Sequence, residues 1–98
     1  MPNRKLDVRT LITSADRLRV MAHPARIAII TLLTEHKTLN VSEIYQKLNM
    51  SQSSVSHHLI LLKNKAILKS RKEGNQIFYS LNSQNILKVL QCIDKSNH

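Results

Sequence analysis

Ninety-eight residues contain one glycine, Gly74, and two prolines, Pro2 and Pro24. That scarcity limits the fold more than any other feature, because a sandwich or barrel needs a punctuating residue at almost every turn. Packed helices do not. Apolar residues make up 42% of the chain but aromatics only 3%, with no Trp, so the core has to be built from Leu, Ile and Val. At this length one domain over residues 1–98 is expected, with an adequate but thin core that a partner subunit would help to complete.

Helical spacing recurs along the chain. Over residues 6 to 21, Leu11, Ala15, Leu18 and Met21, with Val8 and Ile12, share a face from which most of the charges are absent, which predicts an amphipathic first helix. Pro24 restarts the chain at a helix's first turn, and ARIAIITLLTEH is apolar nearly all round, as a central helix would be. Asn40 and Glu43 have the spacing of a capping box and open a short third helix carrying Ile44, Tyr45 and Leu48. Asn49 tolerates a positive φ, and Ser51 is a good N-cap, so a tight turn and a fourth helix follow. ILKSRK and QIFYSL, separated by Glu73, Gly74 and Asn75, read as a β-hairpin. From Ser83 the spacing of Ile86, Leu87, Leu90 and Ile93 restores a helix whose apolar face is too generous for a free surface and is expected to cover a partner. The expected fold is mainly α with a small hairpin and about five helices.

The charge is uneven. Net charge is +9, and six basic residues with no acid lie between Ile44 and Lys72, namely Lys47, Lys63, Lys65, Lys69, Arg71 and Lys72. Such a segment suits a polyanion. A lone cysteine, Cys92, excludes an internal disulfide framework and a cysteine-rich zinc cage, which fits a reducing compartment. LDVRTLITSADRLRVMA is interrupted by charges too often to export or anchor the chain, so a cytoplasmic setting and no membrane partner are expected.

The fourth helix, SQSSVSHHLILLK, carries the chemistry. At 100° per residue, Val55, Leu59, Leu62 and Ala66 fall within an arc of about 60° and must be the buried stripe. Ser53, His57 and Asn64 point away, Ser54 and Ser56 flank, and Ser51 and Gln52 occupy the open N-terminal end. Adjacent His57 and His58 diverge by about 100° and cannot close on one ion, since helical histidine pairs that bind zinc use i, i+4 spacing. No nucleophile elbow, orienting acid or glycine-rich phosphate loop accompanies the serines, so neither metal binding nor hydrolysis fits. His58, beside the stripe, reads as a hydrogen-bonded, half-buried structural residue.

Double-stranded DNA fits better. Short hydroxyl and amide side chains at a helix N-terminus can bond phosphates and base edges, and the helix dipole favours anions there. Gln52 suits an adenine edge, and Ser53, Ser56 and His57 can reach bases. Ser51 and Ser54 complete the polar helix start, and Lys63, Lys65, Lys69, Arg71 and Lys72 can neutralise phosphates. A protein-interaction module using the same face is the alternative, but its contact surface should carry aromatic or aliphatic anchors, and Ile60 is the only apolar candidate.

A helix-turn-helix followed by a basic hairpin is the winged helix-turn-helix plan, and in MAHPARIAIITLL, VSEIYQKLNMSQSSVSHHLILLK and SRKEGNQIFYSL the chain resembles the ArsR/SmtB family of bacterial transcriptional repressors. The resemblance covers nearly the whole length. It implies a homodimer paired through its first and last helices, with Leu11, Ala15, Leu18, Ile86, Leu87, Leu90 and Ile93 at the interface. Each helix of residues 51 to 65 would enter a major groove, and half-sites about 34–36 Å apart would be read on a palindromic operator. The wing of residues 69 to 77 would follow the neighbouring backbone or minor groove. No enzymatic activity is implied.

Departures from the family are informative. The third helix, NVSEIYQKL, lacks the cysteines through which many members sense metals. Ser83 and Asn85 stand where other members place an Asp-x-His pair, and neither replaces those ligands well, so no metal and no cofactor are expected. Cys92 reads as a small core residue rather than a redox switch. Ile67 stands where the family usually ends this helix with glycine, and a β-branched residue disfavours a left-handed cap, so the helix should end differently. Ile60, apolar where relatives are polar or basic, would touch a thymine methyl or weaken phosphate binding.

Overall fold

The scarcity of glycine shows first in how the helices end. Among the described residues, left-handed or otherwise positive φ falls on three non-glycine residues, Lys37 (66°), Asn49 (54°) and Ala66 (57°), each just past a helix. In the computed structural model, which describes residues 7–96, the elements run α1 (Val8–Met21), α2 (Pro24–His36), β1 (Leu39–Asn40), α3 (Val41–Leu48), α4 (Gln52–Asn64), β2 (Leu68–Glu73), β3 (Gln76–Leu81) and α5 (Ser83–Ser96). This is the winged helix-turn-helix order. Leu6, the first residue of the pattern that predicted α1, lies outside the described residues.

Local hydrogen bonds account for most of the boundaries. Asp7 caps α1 by accepting from Arg9 N, and His23 caps α2 through Nδ1, which accepts from Ala25 N at 3.1 Å with Pro24 in the first turn. Lys37 turns the chain through a three-residue γ-turn in which Thr38 N donates to His36 O at 2.7 Å. The capping box of α3 is complete: Asn40 Oδ1 accepts from Glu43 N at 2.8 Å, and Glu43 Oε1 accepts from Asn40 N at 2.9 Å. Asn49 then takes the left-handed conformation while Met50 N reaches back to Tyr45 O, so α4 can start two residues later.

The hairpin pairs Leu68 with Leu81 through Glu73 with Gln76, leaving the two-residue loop Gly74–Asn75. Gly74, at φ +63°, occupies the first loop position, where a type II′ turn places glycine. The sequence did not disclose β1, whose Leu39 and Asn40 pair antiparallel with Tyr79 and Phe78 and extend the hairpin to three strands in the order β1-β3-β2. Two residues show no alternation to read.

Beneath this sheet, α2, α3 and α4 bury Ile29, Leu33, Ile44, Val55, Leu59 and Leu62, all at 1% exposure or less, and Ile67, Leu68 and Tyr79 join them. Each such side chain contributes about 1.5–3 kcal/mol by leaving water. Burial also pushes the Tyr79 phenol above its ordinary pKa. Two expectations need correction. Helix α2 is not enclosed all round, since Ile27 is 53% exposed. The stripe of α4 stops at Leu62, because Ala66 lies beyond the helix end; its left-handed turn lets Ile67 N bond Leu62 O and drops Ile67, fully buried, into the core.

Helices α1 and α5 pack on each other and close around Ser14 and Val89, which are 3% and 2% exposed. Outside that seam their apolar side chains remain open to solvent: Val8 and Ile12 at 65%, Leu87 at 53% and Leu90 at 55%. Among the described residues, no helix is long and apolar enough to cross a membrane.

Candidate nucleic-acid interface

Helix α4 presents the polar face that its rotation predicted. Val55, Leu59 and Leu62 are fully buried, whereas Ser51, Gln52, Ser53, Ser54 and His57 are exposed and Ser56 is half-buried. Ser51 is the N-cap: its Oγ accepts from Ser54 N at 3.2 Å and lies 3.5 Å from Ser53 Oγ. The first turn therefore holds hydroxyls beside backbone N–H groups that have no partner inside the helix, an arrangement suited to phosphate or base-edge acceptors.

The wing approaches this helix start. Gln52 and Ser56 share one open recess of about 310 Å³ with Ser42 of α3 and with Asn75, Gln76 and Ile77 at the hairpin tip. Asn40 Nδ2 donates to Gln76 Oε1 at 3.1 Å and ties hairpin to helix. Ser42 was not singled out from the sequence, and Asn75 and Gln76 entered only as part of the wing of residues 69 to 77; their nearness to Gln52 depends on how the hairpin folds back.

The basic residues divide. Lys63 and Lys72 are exposed. Arg71 is exposed but engaged, with Nε 2.8 Å from Glu73 Oε2 and its guanidinium 5.6 Å over the ring of its cross-strand neighbour Phe78. Lys65 turns away toward α1, where its Nζ lies 2.8 Å from Asp16 Oδ2; the Lys65 hydrogen bond holds the Asp16 carboxyl below the usual carboxylate range. Lys69 stands at the other end of the hairpin from the tip, sharing a recess with Thr34 and Lys37 at the end of α2. The expected phosphate-neutralising set is therefore not one patch.

The paired histidines separate as expected. His57 is exposed. His58 is half-buried: Arg26 Nε donates to its Nδ1 at 3.2 Å, and its ring centroid is 4.9 Å from that of His23. That bond requires an unprotonated Nδ1. Burial first, and then electrostatic interactions with His23, Arg26 and His57, hold the His58 pKa below the ordinary imidazole value. Arg26 also donates to Val20 O at 3.0 Å, so one guanidinium joins the end of α1 and the middle of α4 to α2. Ile60, on the outer face, is 55% exposed.

Of the expected interface residues on α1 and α5, Ala15, Leu18, Leu87, Leu90 and Ile93 are exposed and Leu11 is half-buried at an apolar recess shared with Val89 and Cys92. Ile86 is an exception, since it packs against the main core. Val89, missed by the spacing, anchors the helix instead.

Known proteins share both sequence and shape. The profile for bacterial regulatory proteins of the arsR family matches residues 23–70. The transcriptional repressor PagR of Bacillus anthracis is 37% identical over 90 residues, covering 92% of this chain and 90% of PagR. The transcriptional activator HlyU of Vibrio cholerae is 31% identical over 78 residues, covering 80% of this chain and 71% of HlyU. The crystal structure of PagR superposes with a TM-score of 0.75 at 38% identity, over 87% of this chain and 99% of that one. With a winged helix-turn-helix fold, a polar recognition helix and relatives of this similarity across almost its whole length, the chain belongs to the arsR family of DNA-binding transcriptional regulators and is not an enzyme.

Proposed function

We propose that the chain is a cytoplasmic, homodimeric repressor that reads a palindromic operator. The observation that carries this reading is the shared recess, where the hydroxyl- and amide-bearing start of α4 meets the wing tip. Gln52, Ser53, Ser56 and His57 contact bases, and Ser51 and Ser54 with the α4 N-terminus hold a phosphate. Lys63, Lys72 and Arg71 neutralise further phosphates, whereas Lys65 and Lys69 add only to the surrounding positive field. Leu18, Leu87 and Leu90, with Val8 and Ile12, meet a second copy across a two-fold axis, and removing that much apolar surface from water favours pairing. Cys92 is a packing residue beside that seam. Repression is favoured over activation by the likeness to PagR.

The reading has no metal step. Asn85 Nδ2 donates to Ala66 O at 2.8 Å and so serves a backbone carbonyl, a task that supports a structural role at this position. Fluorescence anisotropy with duplex from the chain's own promoter should show affinity falling steeply and log-linearly with salt. Ser53→Ala and His57→Ala should each reduce preference for that site over random duplex by about 1 kcal/mol or more. Equal binding of wild type and both variants to any duplex would overturn the base-reading assignment.

A further inference from the structure

Between α1 and α5, away from the recognition helix's polar start, an open cleft of about 260 Å³ gathers Arg9 and Arg17 from α1 and Lys88 from α5. Thr10, Thr13, Ser14 and Asn85 complete the polar part of its wall, and among the described residues no carboxylate lines it. Ser14 adds an independent observation: its side chain is buried to 3% exposure, and its Oγ has no hydrogen-bond partner among the described residues. A buried hydroxyl without a partner is costly, and three cations around one cleft repel one another unless an anion lies between them. Two carboxylates lie close in sequence to the lining residues: Asp7 is occupied as the α1 cap and accepts from Thr10 Oγ1 at 3.2 Å, and Asp16 is paired with Arg19 and Lys65.

We infer that this cleft is a binding site for a small tetrahedral oxyanion, a phosphate either free or at the end of a small metabolite. Arg17 and Lys88 grip it from the two helices, Arg9 closes the outer side, and Ser14 and Thr13 donate hydroxyl protons. The planar fork of an arginine suits such an anion through two parallel N–H bonds.

The cleft also touches the end of the recognition helix. Arg17 Nε donates to Lys65 O at 3.0 Å, and Asn85 Nδ2 donates to Ala66 O at 2.8 Å, so two lining side chains hold the carbonyls of the two residues that follow α4. Next to them, Asp16 holds the Lys65 ammonium. An anion that reorients Arg17 or Asn85 alters how α4 is held, and coupling of this kind is reciprocal: the anion changes operator affinity by the same factor as the operator changes anion affinity. This regulatory consequence rests on the DNA-binding reading; occupancy of the cleft does not.

Two double variants of the full chain test the site. Arg9→Gln with Lys88→Gln empties the cleft of two exposed cations, and Lys69→Gln with Lys72→Gln removes the same charge from the hairpin. At fixed ionic strength, wild type and the hairpin variant should gain melting temperature when chloride is replaced by inorganic phosphate, and the cleft variant should not. Equal gains in all three, or equal losses in both variants, would mean general counterion binding and overturn the site. Parallel titrations with ribose 5-phosphate and AMP distinguish the sources: a gain only with inorganic phosphate assigns the free ion, and a larger gain with an ester assigns a phosphorylated metabolite. If the cleft variant instead loses affinity for any duplex as steeply as the hairpin variant, the cleft is a DNA contact and the proposal fails.

Discussion

The two ends of the molecule dispose of apolar surface in opposite ways. Around α4, Val55, Leu59 and Leu62 of the hydrophobic stripe are fully buried and the outer face is mostly serine, glutamine and histidine, with Ile60 its one large apolar exception. Among the described side chains of α1 and α5, only Ser14 and Val89 are buried, and Val8, Ile12, Leu87 and Leu90 stay more than half exposed. One end is finished by the chain itself. The other leaves apolar side chains open to solvent, and within one small fold this difference supports the proposed DNA contact at the first end and the proposed pairing with a second copy at the other.

The largest expected effect lies at the finished end. Leu59→Ala should cost about 2–5 kcal/mol in urea unfolding, whereas Leu90→Ala should cost well under half as much at protein concentrations where the chain is monomeric. Equal costs would erase the contrast. Leu90→Glu tests the open end directly: sedimentation should show a monomer, and affinity for a two-half-site duplex should fall about 100-fold or more as the second contact is lost. A dimer that survives this change would put the interface elsewhere. At the junction of the two regions, Ala66→Gly should raise stability by about 0.5–1 kcal/mol by relieving the left-handed backbone.

The smallest effect concerns pH. Because the His58 pKa is lowered on folding, the unfolded chain binds the proton more readily. Its contribution is complete above the unfolded value of about 6.5 and is lost as pH falls through the lower folded value, where a second cation would face Arg26 and His23. Thermal unfolding should show melting temperature decreasing from pH 7.5 to 5.5, with a smaller decrease in His58→Gln. An unchanged pH slope in that variant would rule out His58 as its source.

What the sequence disclosed follows distance along the chain. The caps at Ser51 and Asn40, the left-handed Asn49 and the turn at Gly74 involve partners within a few residues, so the side chains themselves name the structure. The stripe of α4 was equally legible, since three of its four positions follow from rotation alone; Ala66 failed because nothing in that rotation says where a helix stops. Contacts between distant residues were not legible. Lys65 with Asp16, Arg26 with His58, and Arg17 with Lys65 O span 32 to 49 positions and exist only once α1, α2 and α4 have packed. Such a contact draws Lys65 toward α1, and Lys69 lies beside the end of α2, so neither stands at the recess shared by Gln52 and Ser56.

Asn40 gives the fold a mechanical link. One side chain holds the first turn of α3 through Oδ1 and the wing through Nδ2, so the hairpin cannot shift without pulling on the helix that leads into the turn before α4. When the wing is pinned by a ligand, the opening fluctuations of that first turn are damped as well, and the amide proton of Glu43 should exchange with solvent more slowly, although Glu43 lies on neither the wing nor the recognition helix.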